Sequence, residues 1–398
     1  MPDEEPAGWR ERLFARRAQG VKLGLDAVRA VDEALGRPVE GVPVLHVLGT
    51  NGKGSTSAMA AHALKTRGMG VVGLYTSPHL ERIGERVRID GVPVADEAVR
   101  RAVRQVEGAE ARIGEHLSFF EVLTLAGLLA FRDAGVNMAV IEAGLGGRLD
   151  ATRVRTPACT VLTSVSMDHQ HYLGTTLSAI ADEKIAAAVP GVPCLVSPQA
   201  DEVRERVEQR AAERALDLRW IPPADRAPRG LPGAHQRANA ALACAAVEVL
   251  TGTPATLEQL DDVAWPGRGE RCEVGKGAVV FDVAHNVGAV AALRELLPSA
   301  DVLVFGAMGD KDVGAMIDVL PVASELWWVP PASEGAAASP EQGWRLFRDA
   351  GSSVGAILDV ARGGATVLVC GSHYLVGAIR GPILNGGGVV RVDPGDPR

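Results

Sequence analysis

Cysteine and aromatic residues are scarce. The five cysteines, Cys159, Cys194, Cys244, Cys272 and Cys370, form no CxxC pair and are odd in number. Neither a disulfide framework nor a structural zinc site is therefore expected, and the thiols read as reduced. Aromatics make up 4% of the 398 residues, which leaves the cores to Ala, Val and Leu. Long apolar runs are missing too: a membrane helix needs ~18 such residues, and the strongest stretch, 123–131, has about half of that. The opening MPDEEPAGWRERLFARRAQG is charged and lacks an apolar centre, so no secretory signal is expected and the chain is assigned to the cytoplasm. The 41 basic and 49 acidic side chains leave a net charge of −8, with a pI near 5.7. Such a balance supplies no general field for polyanions, and neither nucleic acid nor a membrane is expected as a partner. Absent as well are HExxH and GxGxxG, which leaves zinc peptidase and dehydrogenase chemistry without support.

What is present has the texture of an α/β enzyme. Glycine occurs 46 times and proline 24 times, 47% of residues are hydrophobic, and mean hydropathy is +0.09. At ~150 residues per domain the length predicts two or three units. Short β-branched runs at 44–48, 71–75, 138–141, 159–163 and 192–196 alternate with helical patterns at 55–67, 120–134, 177–189, 201–216 and 236–250, which predicts a parallel sheet covered on both faces. The breaker-rich IPPADRAPRGLPG reads as a loop, whereas WPGRGER at 265–271 precedes a second series, so a second domain is placed from residue 264. That series alternates strands at 278–283, 301–306, 325–329 and 366–370 with helices at 287–297, 313–320 and 341–350; the tail from Asn385 is expected to fray.

VLHVLGTNGKGSTSAMAAHALKTRG runs from a strand through a Gly-rich loop directly into a helix, the architecture of a phosphate cradle. Gly49, Gly52 and Gly54 allow tight turns with inward N–H groups, and Lys53 adds a point charge; the bland alternative is a Gly-rich turn with an exposed lysine. It departs from GxxxxGK[ST] in that Gly54 separates Lys53 from Ser55. In VIEAGLGGRLDATR the strand delivers Glu142 to its C-terminal end, where a carboxylate can ligate magnesium held by phosphates, unless it is only a solvated loop residue. By residue chemistry alone His169, beside Asp168 and His171, reads as structural, and Lys184 as one more charge on a helix. In the second series Asp282 and His285, then Asp310, Lys311 and Asp312, then Ser372, His373 and Tyr374 each follow a strand, either as capped helices or as a polar rim facing the first domain.

Taken in order, GTNGKGST, YTSPHLERIGERVRIDG, SFFEVLTLAG, IEAGLGGRLDATR, SMDHQHYLGTTLSAIADEKIA, GAHQRANAALA, PGRGER, FDVAHN, GAMGDKDV and GSHYLVG resemble the folylpolyglutamate synthase/dihydrofolate synthase family, a branch of the Mur ligases. The resemblance spans nearly the whole chain, and its order and spacing are far more specific than a phosphate loop alone. It implies a P-loop-containing, Mur-ligase-type ATPase domain with a parallel sheet over residues 1–263, followed by a smaller Rossmann-like glutamate ligase domain over 264–398. The implied activity is an ATP-dependent amide ligase joining L-glutamate to dihydropteroate or a reduced folate through an acyl phosphate, acting as a monomer.

By family pattern the phosphate loop is Asn51, Gly52, Lys53, Gly54 and Ser55, and a first magnesium is held by Ser77 with Glu142. His169 would ligate a second magnesium together with Lys184, which matches a lysine that carries a carbamate. Adenosine contacts carry over to Asn239, Arg268 and Asp282, with His285 nearby; Lys53, Lys184, His169 and Arg268 form the catalytic set. The pterin site carries over to Ser118, Phe119, Phe120 and Glu121, and to Leu149, Asp150 and Ala151, with the aromatic pair as a stacking face. Two departures stand out. The segment 216–235 looks short, so a peripheral strand or hairpin of the first domain is expected to be missing, and Ser118 replaces a frequent Thr, which bears on substrate choice. The shared ATP machinery would equally serve a Mur-type ligase acting on another carboxylate, whereas a nucleotide-binding module without turnover would need neither a second metal nor a carbamate.

Overall fold

The computed structural model describes residues 8–20, 24–340 and 342–390. The strands are β1 (Val44–Leu48), β2 (Val72–Tyr75), β3 (Val87–Ile89), β4 (Val92–Pro93), β5 (Met138–Glu142), β6 (Cys159–Leu162), β7 (Pro193–Val196), β8 (Asp217–Trp220), β9 (Glu270–Val274), β10 (Gly277–Phe281), β11 (Ser299–Phe305), β12 (Val322–Trp328), β13 (Arg345–Leu346), β14 (Thr366–Cys370) and β15 (Val389–Val390). They form an eight-stranded sheet, β4-β3-β2-β5-β1-β6-β7-β8, and a seven-stranded sheet, β13-β12-β11-β14-β10-β9-β15.

Both sheets are mixed, which corrects the expectation of a purely parallel first sheet. From β2 to β8 every pairing is parallel, but β3 and β4 add an antiparallel hairpin at one edge. Its turn is Asp90–Gly91, both at positive φ (51° and 83°), the conformation that a two-residue hairpin demands. In the second sheet β9 runs antiparallel to β10, and β15 antiparallel to β9. The pairing of Val389 and Val390 gives the start of the tail a strand where fraying was expected; residues 391–398 lie outside the described residues. The helix expected at 341–350 instead spans Ala350–Arg362, because the Asp349 side chain caps it by accepting from Ser352 N, while 345–346 pair with β12. Glu341 lies outside the described residues. Strand β8 closes the edge of the first sheet, and 221–234 then run to the next helix without a strand.

Small side chains let the helices approach closely. On one face of the first sheet, Lys53–Thr66 presents Ala60, Ala63 and Leu64 to Ala243, Ala246 and Val247 of His235–Thr251. Asp96–Ile113 and Phe119–Asp133 share a second core on that sheet with Tyr75 and Ile141. Burying such apolar faces, at about 25 cal/mol per Å², is what holds the layers together. The result is a rigid platform whose C-terminal strand ends carry the polar loops.

Candidate active site

All five residues of β1 are buried, and the strand delivers the chain to a loop seated on the end of β6, where Thr50 N donates to Ser164 O at 2.7 Å. Gly49 and Gly52 have φ of 137° and 89°; a Cβ on Gly49 would lie 1.9 Å from Thr163 Oγ1, so the turn admits only glycine. No side chain caps the helix that begins at Lys53, which leaves its first-turn N–H groups to an anion. Lys53 Nζ donates to Thr50 O at 3.0 Å, folded over the loop. Gly54, the residue that breaks the ordinary phosphate-loop pattern, marks a close approach: a Cβ there would stand 3.2 Å from Trp265 Nε1 and 3.8 Å from Arg268 Nη2.

Glu142 ends β5 and is 5% exposed, not solvated. Its Oε2 accepts from Ser77 N at 3.0 Å. Burial pushes its carboxyl above the usual range, opposed by Lys53, Ser77 N, Arg268 and Arg86. Lys184 is likewise buried, with Nζ donating to Gly49 O at 2.8 Å. Burial, reinforced by Lys53, pulls it down to about 7 against the attraction of Asp168 and Asp150. His169 takes φ of 49° and precedes a short helix; burial lowers it to about 4 despite Asp168. The structure thus brings Asn51, Lys53, Glu142, His169 and Lys184 to one cavity wall.

Asp168 is tied to the second sheet. Lys311 Nζ donates to its Oδ1 at 2.6 Å, Asn286 Nδ2 to its Oδ2 at 3.1 Å, and His285 Nε2 stands 3.5 Å away. Burial would raise its carboxyl, but the hydrogen bond from His285 and the charges of His169, His285 and Lys311 outweigh this and hold it far below the carboxylate range. Asn51 and Asn286 exchange reciprocal amide hydrogen bonds of 3.1 and 2.9 Å. Asp282 pins the loop bearing Arg268, accepting from Gly269 N and Ala284 N at 2.8 Å each. Behind the phosphate loop Asn239 donates to Gln236 Oε1 at 2.9 Å, and Gln236 reaches Ser55 Oγ at 3.3 Å.

At the other end of the cavity, Ser118 and Glu121 form a capping box for Phe119–Asp133: Ser118 N donates to Glu121 Oε2 at 2.7 Å and Glu121 N to Ser118 Oγ at 3.4 Å. Phe119 stacks on Phe14 with centroids 5.4 Å apart, and Phe120 tilts against Tyr75 at 6.3 Å. Asp150 accepts from Leu145 N and Thr152 N at 2.8 and 2.9 Å, and so holds the loop of Leu149 and Ala151 in place. Sequence reasoning passed over Arg86, Gln236, Asn286 and Arg17. Arg86, 5% exposed, points into this end, donating to His79 Nδ1 at 2.9 Å and lying 5.4 Å over Phe119. The i,i+3 spacing of Gln236 and Asn239 was a usable signal, and His79 lies within the same short segment as Arg86; the partners of Asn286 lie too far along the chain for any local one. One continuous cavity of about 1080 Å³ between the two sheets is lined by the phosphate loop, Glu142, His169, Lys184, Arg268 and, at this far end, Arg17, Arg86, Phe119 and Phe120.

A phosphate loop on one α/β layer facing a cationic rim on a second defines a two-domain, nucleotide-dependent ligase of the Mur type. Residues 47–220 match the Mur ligase middle domain and 267–373 the Mur ligase glutamate ligase domain. Folylpolyglutamate synthase of Lacticaseibacillus casei is 32% identical over 89% of this chain and 92% of its own length. A probable bifunctional folylpolyglutamate synthase/dihydropteroate synthase of Haloferax volcanii is 35% identical over 92% of this chain, which spans only 49% of that relative. The Yersinia pestis bifunctional folylpolyglutamate synthase/dihydrofolate synthase, solved with AMPPNP and a Mn ion, superposes with a TM-score of 0.83 at 27% identity, covering 96% of this chain and 100% of that one. The chain belongs to the folylpolyglutamate synthase/dihydrofolate synthase family and is an ATP-dependent ligase of folate metabolism.

The residues fit a divalent cation at one place. Glu142 is a buried carboxylate whose only hydrogen-bond donor among the described residues is Ser77 N, and hard cations take such oxygens. Among the described residues no three His, Cys, Asp or Glu side chains converge as a ready-made metal site. No helix among the described residues is long and apolar enough to cross a membrane.

Proposed function

We propose that the chain joins the amine of L-glutamate to the carboxyl of dihydropteroate, of reduced folates, or of both, with ATP cleaved to ADP and phosphate. One observation carries this reading: a single cavity of about 1080 Å³ is lined both by the uncapped phosphate loop and by the Phe119 and Phe120 face, so a triphosphate and a pterin can share it. The acceptor carboxyl attacks the γ-phosphorus, releasing ADP, and the glutamate amine then attacks the acyl carbon of the resulting acyl phosphate, expelling inorganic phosphate and a proton. Lys53 and the loop N–H groups take the phosphates, and Arg268 reaches the developing charge from the second sheet. Asn239, Asp282 and His285 border the nucleoside. Ser118, Glu121, Leu149, Asp150 and Ala151 wall the pterin end, with Phe119 and Phe120 as the stacking surface.

Ser77 and Glu142 would hold a first magnesium, which neutralises phosphate charge. A second would lie between His169 and a carbamylated Lys184. Lys184 is suited to that modification, because an amine lowered to about 7 is roughly half neutral near neutral pH, and the neutral form is what adds CO2, releasing one proton. The carbamate keeps one N–H, so the contact with Gly49 O survives. The domain boundary falls near residue 264, supported by Val263 in the core under the first sheet and Val274 in that of the second. The chain acts as a cytoplasmic monomer, consistent with a cavity completed by its own two sheets and with five free thiols. The test is phosphate release from ATP with dihydropteroate plus glutamate, tetrahydrofolate plus glutamate, and each component alone. Release that needs both glutamate and a pteroate or folate supports the reading; release with neither, or no release at all, sinks it.

A further inference from the structure

Two loops must meet for this site to form, one carrying Ser77 and the other Arg268, and they come from different sheets. Both are gripped by one side chain. Arg380, on the helix His373–Asn385, donates from Nη1 to Glu81 Oε1 at 2.6 Å, and from Nε and Nη2 to the two oxygens of Glu270 at 2.7 Å each. The triad is well shielded, with side-chain exposures of 15% for Arg380, 9% for Glu270 and 31% for Glu81.

Each carboxylate leads to the site. Glu270 Oε2 also accepts from Gly267 N at 2.9 Å, next to Arg268. Glu81 sits in a turn made stiff by Glu85, whose oxygens accept from the N–H groups of Leu80, Glu81 and Arg82 at 2.9, 3.2 and 2.8 Å. A displacement of Glu81 is therefore passed to the whole turn, and to Ser77 N on Glu142. The helix is shaped for this contact. Gly377 and Gly381, one turn apart, form a notch: a Cβ on Gly377 would lie 2.1 Å from Leu80 O, and one on Gly381 3.2 Å from Glu81 Oε2. Leu80 itself packs against the core of the second sheet.

We propose that Arg380, seated beside the Gly377–Gly381 notch, is a positioning residue that locks the Ser77 loop and the Arg268 loop into one register, so that Glu142 and Arg268 face the same phosphate only when the two units are closed. The assignment rests on the roles given above to Ser77, Glu142 and Arg268. Arg380 touches no substrate and acts through Glu81 and Glu270. A planar fork suits this junction, because three N–H groups pointing in two directions hold two carboxylates at once, which a single ammonium cannot do with the same geometry.

The test combines kinetics with hydrogen exchange on the full chain. Arg380→Gln should lower kcat by about tenfold to a hundredfold while the KM for the pteroate or folate stays within about twofold, and should raise the magnesium concentration needed for half-maximal rate. Amide exchange should rise in peptides covering 76–86 and 266–270 and stay unchanged in 44–48 and 138–142. Glu81→Gln should loosen 76–86 alone, and the double variant should be no slower than Arg380→Gln, as expected when both act through one contact. Arg380→Lys should recover thermal stability without recovering kcat. Gly377→Ala should reproduce the exchange pattern with the triad residues intact; if it does not fold, the Arg380 variants decide alone. Full activity of Arg380→Lys, unchanged kcat in Arg380→Gln, or exchange that does not rise in both peptides would overturn the proposal. If the unaltered protein ligated glutamate to no pteroate or folate, the functional reading would fail while the exchange patterns still judged the latch.

Discussion

Glu142 and Asp168 are both carboxylates on the polar rim of the first sheet, 5% and 6% exposed, yet the chain treats them in opposite ways. Around Asp168 the protein supplies everything a buried anion needs: Lys311, Asn286 and His285, all from the second sheet. Around Glu142 it supplies one backbone N–H and leaves burial to raise the carboxyl. The satisfied group ties the two units together. The unsatisfied one is, in the reading proposed above, the ligand of a cation from outside, and its raised affinity for a proton is what burial with a single donor produces.

Four substitutions would break or sharpen this contrast. Glu142→Gln has the largest expected effect on function, a loss of about 10²–10³ in ligation rate, with the fold retained. It should also stabilise the metal-free protein. The folded carboxyl titrates above the unfolded value of about 4.3, so the wild type loses stability as pH rises past that point, and the variant does not. Denaturant midpoints from pH 3 to 8 would show the two curves converging at the acid end; a variant less stable at neutral pH would mean that Glu142 is structural.

Asp168→Asn should do the reverse and cost about 1–3 kcal/mol, because Lys311 keeps only the exposed Asp310, at 3.1 Å, as its anion. Here the folded carboxyl lies below the unfolded value of about 3.9, so its contribution is complete above that pH and fades only below it. Urea unfolding at pH 7 and pH 3 should find the difference between variant and wild type smaller at pH 3. Lys184→Met comes next: nearly inactive, but more stable below about pH 7, with the gain vanishing towards the unfolded lysine value of about 10.4, since the folded and unfolded states differ in bound protons only between those limits. If the carbamate forms, CO2-depleted buffer should slow the wild type and bicarbonate restore it. The smallest effect belongs to Ser118→Ala, which removes one partner of the capping box and should cost about 1 kcal/mol in thermal unfolding while leaving kcat near normal. A large rise in KM for the pteroate would instead place Ser118 on the substrate.

Local pattern explains which parts of this were visible beforehand. The strand, Gly-rich loop and helix around Lys53, and the strand that presents Glu142, occupy contiguous residues, so periodicity and spacing locate them. The β3–β4 hairpin had its own signal in VRIDGVPV, where Asp-Gly sits between alternating apolar residues. Ser118-x-x-Glu121 ahead of an apolar run likewise announces a helix cap, in which each side chain accepts from the other's backbone N–H. The helix at Ala350–Arg362 was hidden because Gly351, Ser352, Ser353 and Gly355 dilute its apolar face. No spacing rule reaches Asp168 with Lys311, 143 residues apart, or Arg380 with Glu81, 299 apart. The burial that lowers Lys184 exists only once the sheet has formed.

The reciprocal amide pair of Asn51 and Asn286 sets a further property of the molecule. It joins the phosphate loop to the second unit through two uncharged groups that exchange donor for acceptor, much as paired bases do. Salt and acidity, which weaken charged contacts, leave such a pair untouched. The two sides of the cleft are thus fastened differently, by the more exposed Arg380 triad on one and, on the other, by this neutral pair beside the deeply buried Lys311–Asp168 ion pair. Raising ionic strength should loosen one edge before the other, so that the cleft swings open about the amide pair and does not come apart evenly.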